Sequence, residues 1–114
     1  MRIIQNGERI NVSGLNELDA ASAPSFESAV RAVLPAASID IDLSRLSFID
    51  CGGVGALIAL RNSARSCNAD ATIRLLNPSR RVRRMFQVTR LDKLFRIKNH
   101  VSPSNRTRRL RKAG

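Results

Sequence analysis

Few side chains in these 114 residues are of the kind that does covalent or metal chemistry. There are two cysteines, Cys51 and Cys67, and a single histidine, His100. A nucleophile needs a base within hydrogen-bond reach, and no Ser/His/acid set, Cys/His pair or paired carboxylates form such a pattern here. His100 has no Cys or His neighbour and reads as a surface residue. Two cysteines are too few for a disulfide framework, and their spacing is wrong for a metal ribbon. Cys51 opens the stretch Cys51-Gly52-Gly53-Val54-Gly55. A helix N-terminus activates a thiol, but the simpler reading of Cys51 is a small residue at a tight turn. Cys67 reads as a small core-facing residue. The glycines could suggest a dinucleotide loop. Taking Gly53-Val54-Gly55-Ala56-Leu57-Ile58 as the fingerprint, Ile58 stands where the third glycine belongs, and the match fails. There is no Gly-Lys-Ser/Thr either. The chain is therefore read as non-enzymatic, with no cofactor and no metal. Incidental anion binding at a helix start stays open.

Charge carries more information. The net charge is +11. Residues 1–73 hold six Lys/Arg against eight Asp/Glu, and residues 74–114 hold fourteen against one, Asp92. The C-terminal third is a concentrated positive surface. It contains Arg80, Arg81, Arg83 and Arg84, and later Arg106, Arg108, Arg109, Arg111 and Lys112. There is no Trp or Tyr and only four Phe, so single-strand binding by base stacking is disfavoured. Contact with phosphates needs no aromatics and stays open.

These groups must be positioned by elements, and the apolar pattern gives them. Ile3-Ile4 and Ile10-Asn11-Val12 flank Asn6-Gly7, a hairpin signal in which a type I′ turn asks for positive φ at both central residues. Residues 14–21 form a loop. A first helix follows, with Ser22 as N-cap and Pro24 in its first turn. Phe26, Ala29, Val30, Val33 and Leu34 mark its buried stripe, and Pro35 ends it. Residues 38–43 alternate, with Ile39, Ile41 and Leu43 inward. Leu46, Phe48 and Ile49 extend the apolar set. Asp50 caps a second helix that carries Leu57, Ile58, Leu60, Ala64 and Cys67. On that helix the sixteen residues between the cysteines span roughly 24 Å, too far for a disulfide. Residues 71–76 form a strand. Ser79 caps a third helix with Val82, Met85, Phe86 and Leu91, and residues 94–97 form a last short strand. The order β-β-α-β-α-β-α-β predicts a mixed, mostly parallel sheet with helices packed against it. Residues 102–114 lack apolar periodicity and read as a disordered basic tail.

With these elements in place, the chain resembles the STAS family, whose simplest members are bacterial anti-anti-sigma factors (anti-sigma factor antagonists). The strongest piece runs from Asp42-Leu43-Ser44 through Ile49-Asp50-Cys51-Gly52-Gly53-Val54-Gly55-Ala56-Leu57. The family pattern there is Asp-Leu-Ser, an apolar pair around one polar residue, then Ile-Asp-Ser-Ser-Gly-Leu-Gly. Glu17-Leu18-Asp19 with Ala23-Pro24 matches the family's first loop and helix. Val82 to Phe86, with Thr89 and Leu91 to Phe95, matches its third helix and last strand. The resemblance implies one STAS domain over residues 1–101, followed by the tail at 102–114. It also implies a regulatory role in transcription by protein–protein interaction, with an anti-sigma factor of the serine-kinase type as partner. In such proteins that kinase phosphorylates the second Ser of Asp-Ser-Ser-Gly, and the added dianion abolishes docking.

This chain departs from the pattern there. Cys51 stands at the first Ser and Gly52 at the phosphorylated one, and Gly52 has no hydroxyl. The expectation is an absent off-switch and a helix start left sterically open by Gly52-Gly53, so that Gly52→Asp should spare the fold. Arg90 stands where the family often has Gly, which would cost about 1 kcal/mol if that residue is left-handed. The expected partner-binding residues are Asp19, Asp50, Cys51, Gly52 and Gly53. Asp19 is either a partner contact or a loop cap, and Asp50 is either a cap alone, which suffices to explain it, or a cap that also faces the partner. The four arginines of helix three oppose the macrodipole by about 0.3–1 kcal/mol each before screening. Either solvent tolerates them, or an acidic partner, phosphate or nucleic acid compensates them. The alternative function is thus a STAS-fold accessory that holds nucleic acid or an anionic assembly through its basic third. No apolar run reaches the roughly 18 residues of a membrane span, and the N-terminus lacks a signal-peptide pattern. A cytoplasmic location is expected.

Overall fold

The computed structural model describes residues 1–99. His100 and the tail expected at 102–114, with its five basic residues, lie outside them. The elements are β1 (Arg2–Asn6), β2 (Arg9–Ser13), α1 (Ala23–Arg31), β3 (Ser38–Asp42), α2 (Cys51–Cys67), β4 (Thr72–Leu76), α3 (Arg80–Val88), a single 3-10 turn (Leu91–Lys93) and β5 (Arg96–Lys98). They form one sheet in the order β1-β2-β3-β4-β5. β1 and β2 are antiparallel, and every later pair is parallel. The mixed, mostly parallel sheet expected from the sequence is present.

The hairpin sits one residue further on than its signal. Asn6 pairs with Arg9 inside the ladder, so Gly7 and Glu8 are the turn. Of the two, only Gly7 has positive φ, +64°. Glycine first with an ordinary second residue is the pattern of a type II′ turn rather than I′.

Strand order explains the layering. Each crossover steps one strand in the same direction, and right-handed crossovers of that kind place all their helices on one face. The register agrees. Ile10, Ile39 and Ile73 are cross-strand neighbours, as are Val12, Ile41 and Leu75, and all six are buried. Phe26 and Val30 of α1, Leu57 and Leu60 of α2, and Val82 and Phe86 of α3 complete this core. Each fully buried side chain of this size contributes roughly 1.5–3 kcal/mol. The alternate row, Asn11, Asp40, Arg74 and Arg96, lies on the opposite face. That face carries no helix. Asp40 is nonetheless buried, at 9% exposure. Arg74 clamps it from the next strand, donating from Nε to Oδ1 at 2.7 Å and from Nη2 to Oδ2 at 2.5 Å. Such two-pronged bonds between ionised groups are the strong ones, and this one holds Arg74 more firmly protonated than usual.

Several expectations shift. Helix α1 ends at Arg31, ahead of Pro35. Val33 and Leu34 bond back to Val30 and Arg31 in tighter i→i−3 turns. Leu91 is buried, but in the 3-10 turn after α3 rather than on the helix. Phe48 is 52% exposed, whereas Leu43, Leu46 and Ile49 are buried. Residues 43–50 are neither strand nor helix, and a turn from Leu46 N–H to the Leu43 carbonyl buries every third residue instead. Cys67, expected in the core, is exposed. The stripe of α2 stops at Ala64; periodicity identifies a face but not where its cover ends.

Between α3 and the 3-10 turn, Arg90 has φ +60° and ψ +24°. This is the left-handed C′ position that usually holds glycine. Relief of a left-handed arginine outweighs the added freedom of glycine in the unfolded chain. Arg90→Gly is expected to raise stability by about 0.5–1 kcal/mol, read as a higher urea midpoint at unchanged slope. A lower midpoint would contradict this account of the turn.

Candidate functional site

Parallel strands β2 and β3 deliver two loops, residues 14–22 and 43–50, to the same end of the sheet. Each loop is pinned by apolar side chains: Leu15 and Leu18 in the first, Leu46 and Ile49 in the second. Asp50 then turns the chain into α2. Its backbone is extended, its Oδ1 accepts from Gly53 N–H at 2.9 Å, and its carbonyl accepts from Val54 N–H at 3.0 Å. The cap expected at Asp50 is formed.

The first loop carries its own cap, three residues before the expected one. Ser22 makes no side-chain bond into α1. Instead Asp19 Oδ1 accepts from Ser22 N–H at 2.9 Å, and Asp19 N–H donates to Ser22 Oγ at 3.0 Å. This is the reciprocal geometry of a capping box, with Asp19 in the leading role. The Asp19 carbonyl also accepts from Ala23 N–H at 2.8 Å. The Ser22 N–H holds the Asp19 carboxyl below its ordinary pKa of 3.8. Asp19 is thus charged at neutral pH and partly exposed, both a cap and an accessible acid.

The two loops meet at the glycines. Neither Gly52 nor Gly53 has positive φ, so backbone freedom is not the reason for glycine. Space is. A Cβ on Gly52 would lie 2.6 Å from Ala20 N and 2.7 Å from Ala20 Cα. A Cβ on Gly53 would overlap the Leu18 carbonyl oxygen. The start of α2 is therefore not open, as its glycines suggested. The backbone of Leu18–Ala20 lies across it. A side chain at residue 52 requires that loop to move, and the expectation that Gly52→Asp spares the fold is corrected accordingly.

The structure thus brings Asp19, Asp50, Cys51, Gly52 and Gly53 together, but Gly53, expected among the partner-binding residues, is buried beneath Leu18 and only the other four reach the surface. Cys51 is exposed, a free thiol at the opposite end of α2 from Cys67. Sequence reasoning missed two neighbours. Glu17 and Phe48 line a small cleft with Asn16, Leu18, Asp19 and Ser47. The three-residue spacing of Leu43, Leu46 and Ile49 is the signal that could have turned Phe48 outward. Among the described residues, no three His, Cys, Asp or Glu side chains are grouped to hold a metal. The site offers an exposed aromatic ring, carboxylates and a closed backbone contact. Those are means of binding a protein surface.

The arginines stand apart from this surface. Arg80, Arg81 and Arg84 are exposed on α3. Ser79 Oγ accepts from Val82 N–H at 3.2 Å and caps that helix as expected. Arg83 donates to Asn99 Oδ1 at 2.7 Å.

A one-sided sheet of one antiparallel and three parallel pairings, with helices following β2, β3 and β4, defines a small α/β domain of the STAS fold. The chain belongs to the STAS domain family, whose model matches residues 9–103. Solved structures share the fold. TM1081 of Thermotoga maritima, a candidate anti-sigma factor antagonist, superposes with a TM-score of 0.75 at 19% identity, over 90% of this chain and 89% of that one. The anti-sigma factor antagonist SpoIIAA in its unphosphorylated form gives 0.68 at 23% identity, over 97% and 96%. The phosphorylated form of that Bacillus cell fate determinant gives 0.61 at 22% identity, over 96% and 97%.

The contact between Ala20 and Gly52 generates a test. Gly52→Ser is expected to lower stability by about 1–3 kcal/mol, the usual cost of overfilling a packed site. Gly55→Ala serves as control, because a Cβ there meets nothing within 4 Å and alanine favours the helix. Denaturant melts should separate the two. Equal stability of Gly52→Ser and wild type would mean that the loop yields freely.

Proposed function

We propose that this chain is a regulatory protein-binding module of the anti-sigma factor antagonist kind, acting in the cytosol without catalysis of its own. It docks through the Leu18–Ala20 loop, Phe48 and the first turn of α2, onto an anti-sigma factor of the serine-kinase type. The single observation that carries this reading is the closed backbone contact at Gly52–Gly53. It presents Asp19, Asp50 and Cys51 on a fixed frame, beside an exposed phenylalanine. Family membership and the likeness to anti-sigma factor antagonists support the same reading. In this reading, which the resemblance at residues 49–55 supports, Gly52 stands in for the family's phosphoserine. Docking is then constitutive with respect to that modification: residue 52 has no hydroxyl to receive a phosphate and no room for one.

The test is binding to the cognate kinase, found by pull-down from the native cytosol. Incubation with that kinase and ATP should leave residues 51–55 unmodified by mass spectrometry and the affinity unchanged. Phe48→Ala should weaken docking at least tenfold, about 1.4 kcal/mol, with an unchanged melt. Loss of binding on adding ATP, or full affinity in Phe48→Ala, would refute the proposed mode.

A second reading has its own observation. Among the described residues the one ion pair is Arg74–Asp40, so the exposed Arg80, Arg81 and Arg84 have no carboxylate partner there. A polyanion such as nucleic acid would supply one. Affinity for duplex DNA or RNA should then fall steeply between 50 and 200 mM salt, with a slope of about −0.9 per phosphate neutralised on DNA. A flat salt dependence, or no binding at 50 mM, would remove this reading.

A further inference from the structure

A second group of arginines lies at the far end of α2, where none was anticipated. Arg61 and Arg65 are one helical turn apart on the same face. They line a cleft of about 250 Å³ whose walls also include Thr72 and Leu94, at the edge of β4 ahead of its pairing with β5, and Arg96, the first residue of β5 and in the row of the helix-free face, borders the same cleft from the other side of the sheet. Arg65 lies fourteen positions along the helix from Cys51, roughly 21 Å at 1.5 Å per residue. The cleft is therefore distinct from the docking surface and does not depend on the function proposed for it.

Local structure accounts for part of this cluster. Arg65 in the last turn of α2 suits the helix dipole. Arg61 donates from Nε to the Leu94 carbonyl at 3.1 Å and ties the turn before β5 to α2. It does not account for three arginines bordering one cleft. Like charges at i and i+4 repel, and Arg96 adds a third. The cleft holds one acid, Asp70, which forms no ion pair with any of the three. The backbone N–H of Asp70 is instead used in a bond to Asn68 Oδ1 at 3.0 Å. Arg61 uses its Nε in that bond, and its terminal nitrogens make no hydrogen bond among the described residues. Guanidinium forks match tetrahedral phosphate oxygens two at a time. A concave site of this volume holds a phosphate group with a small substituent, whereas the convex arginines of α3 suit an extended polyanion.

We propose that Arg61, Arg65 and Arg96 form a binding site for a phosphate monoester. Its source is either a soluble phosphorylated metabolite or a phosphate headgroup at a lipid surface. The full chain, labelled with nitrogen-15, is titrated with inorganic phosphate at constant ionic strength maintained with chloride. Saturable shifts of the amides at residues 61, 65, 71–73 and 94–96 are expected. Arg65→Gln and Arg96→Gln are exposed changes that leave the Arg61–Leu94 bond in place. Each should weaken the saturating constant at least fivefold. Arg80→Gln with Arg84→Gln should leave it unchanged. Glycerol 3-phosphate and vesicles containing phosphatidic acid then identify the source. Tighter binding of the former with no vesicle binding indicates a soluble ligand. Vesicle binding lost in Arg65→Gln and Arg96→Gln indicates a headgroup. Shifts that stay linear, that spread equally over the α3 arginines, or that persist in both variants would overturn the site.

Discussion

Two backbones meet where no side chain fits, and much of this domain follows from that contact. Leu18–Ala20 can lie on the first turn of α2 only because residues 52 and 53 lack a Cβ. The contact links the start of α1, through the Asp19–Ser22 box, to the start of α2, through the Asp50 cap. Both caps are closed by side chains within three residues of the bonds they make. Their relative position is not local at all. It depends on Leu18 and Ile49 being buried together beneath the crossing. Asp19 and Asp50, in the docking surface proposed above, are therefore each held by a bond that also begins a helix, and little reorganisation is left for a partner to impose.

The sheet orders the charges laterally. The loops after β2 and β3 carry Glu17, Asp19 and Asp50, and the helix after β4 carries Arg80, Arg81, Arg83 and Arg84. All of these lie toward the C-terminal ends of the parallel strands, the usual place for recognition in open α/β sheets. Arg61, Arg65 and Arg96 lie toward the opposite ends. Asp40 and Arg74 stand where the two regimes meet, on adjacent strands of the helix-free face. A buried carboxylate there is tolerable because its partner is a fork that satisfies both oxygens. The net charge of the chain thus describes no single surface. An acidic and apolar corner, a convex basic helix and a basic cleft can each be read by a different partner.

Features that rest on short-range rules were legible in the sequence. The alternation of Ser38 to Asp42 gave β3 and implied that its polar side faced away from the helices. Asp50 and Ser79 were legible as caps because the bonding N–H lies three residues on. The same rule misplaced the cap of α1, because Asp19 and Ser22 are both good cap formers and the chain uses them reciprocally. Gly52–Gly53 was legible as unusual but not as covered: the covering residues are more than thirty positions away, and nothing local encodes their approach. Phe48 and Cys67 failed for a shared reason. Hydrophobicity states a preference for burial, but a turn or a helix end decides whether a neighbour is there to provide it. The proposed correspondence of Gly52 with a phosphoserine rests on the family pattern alone; the geometry at Ala20 says only that a side chain at residue 52 displaces the loop.

The unbroken spatial order of the five strands has a consequence for how the molecule is made. Each strand pairs with the one synthesised just before it, so no segment must wait for a distant later piece before it can add to the sheet. A chain emerging from the ribosome can extend the sheet strand by strand, each crossover helix covering one face of the newly formed pair while its edge stays open for the next strand. The acidic corner is complete once α2 has been translated. The arginines of α3 and β5 follow, onto a sheet that already exists, and a nascent chain therefore presents its acidic corner before the basic residues that come after β4.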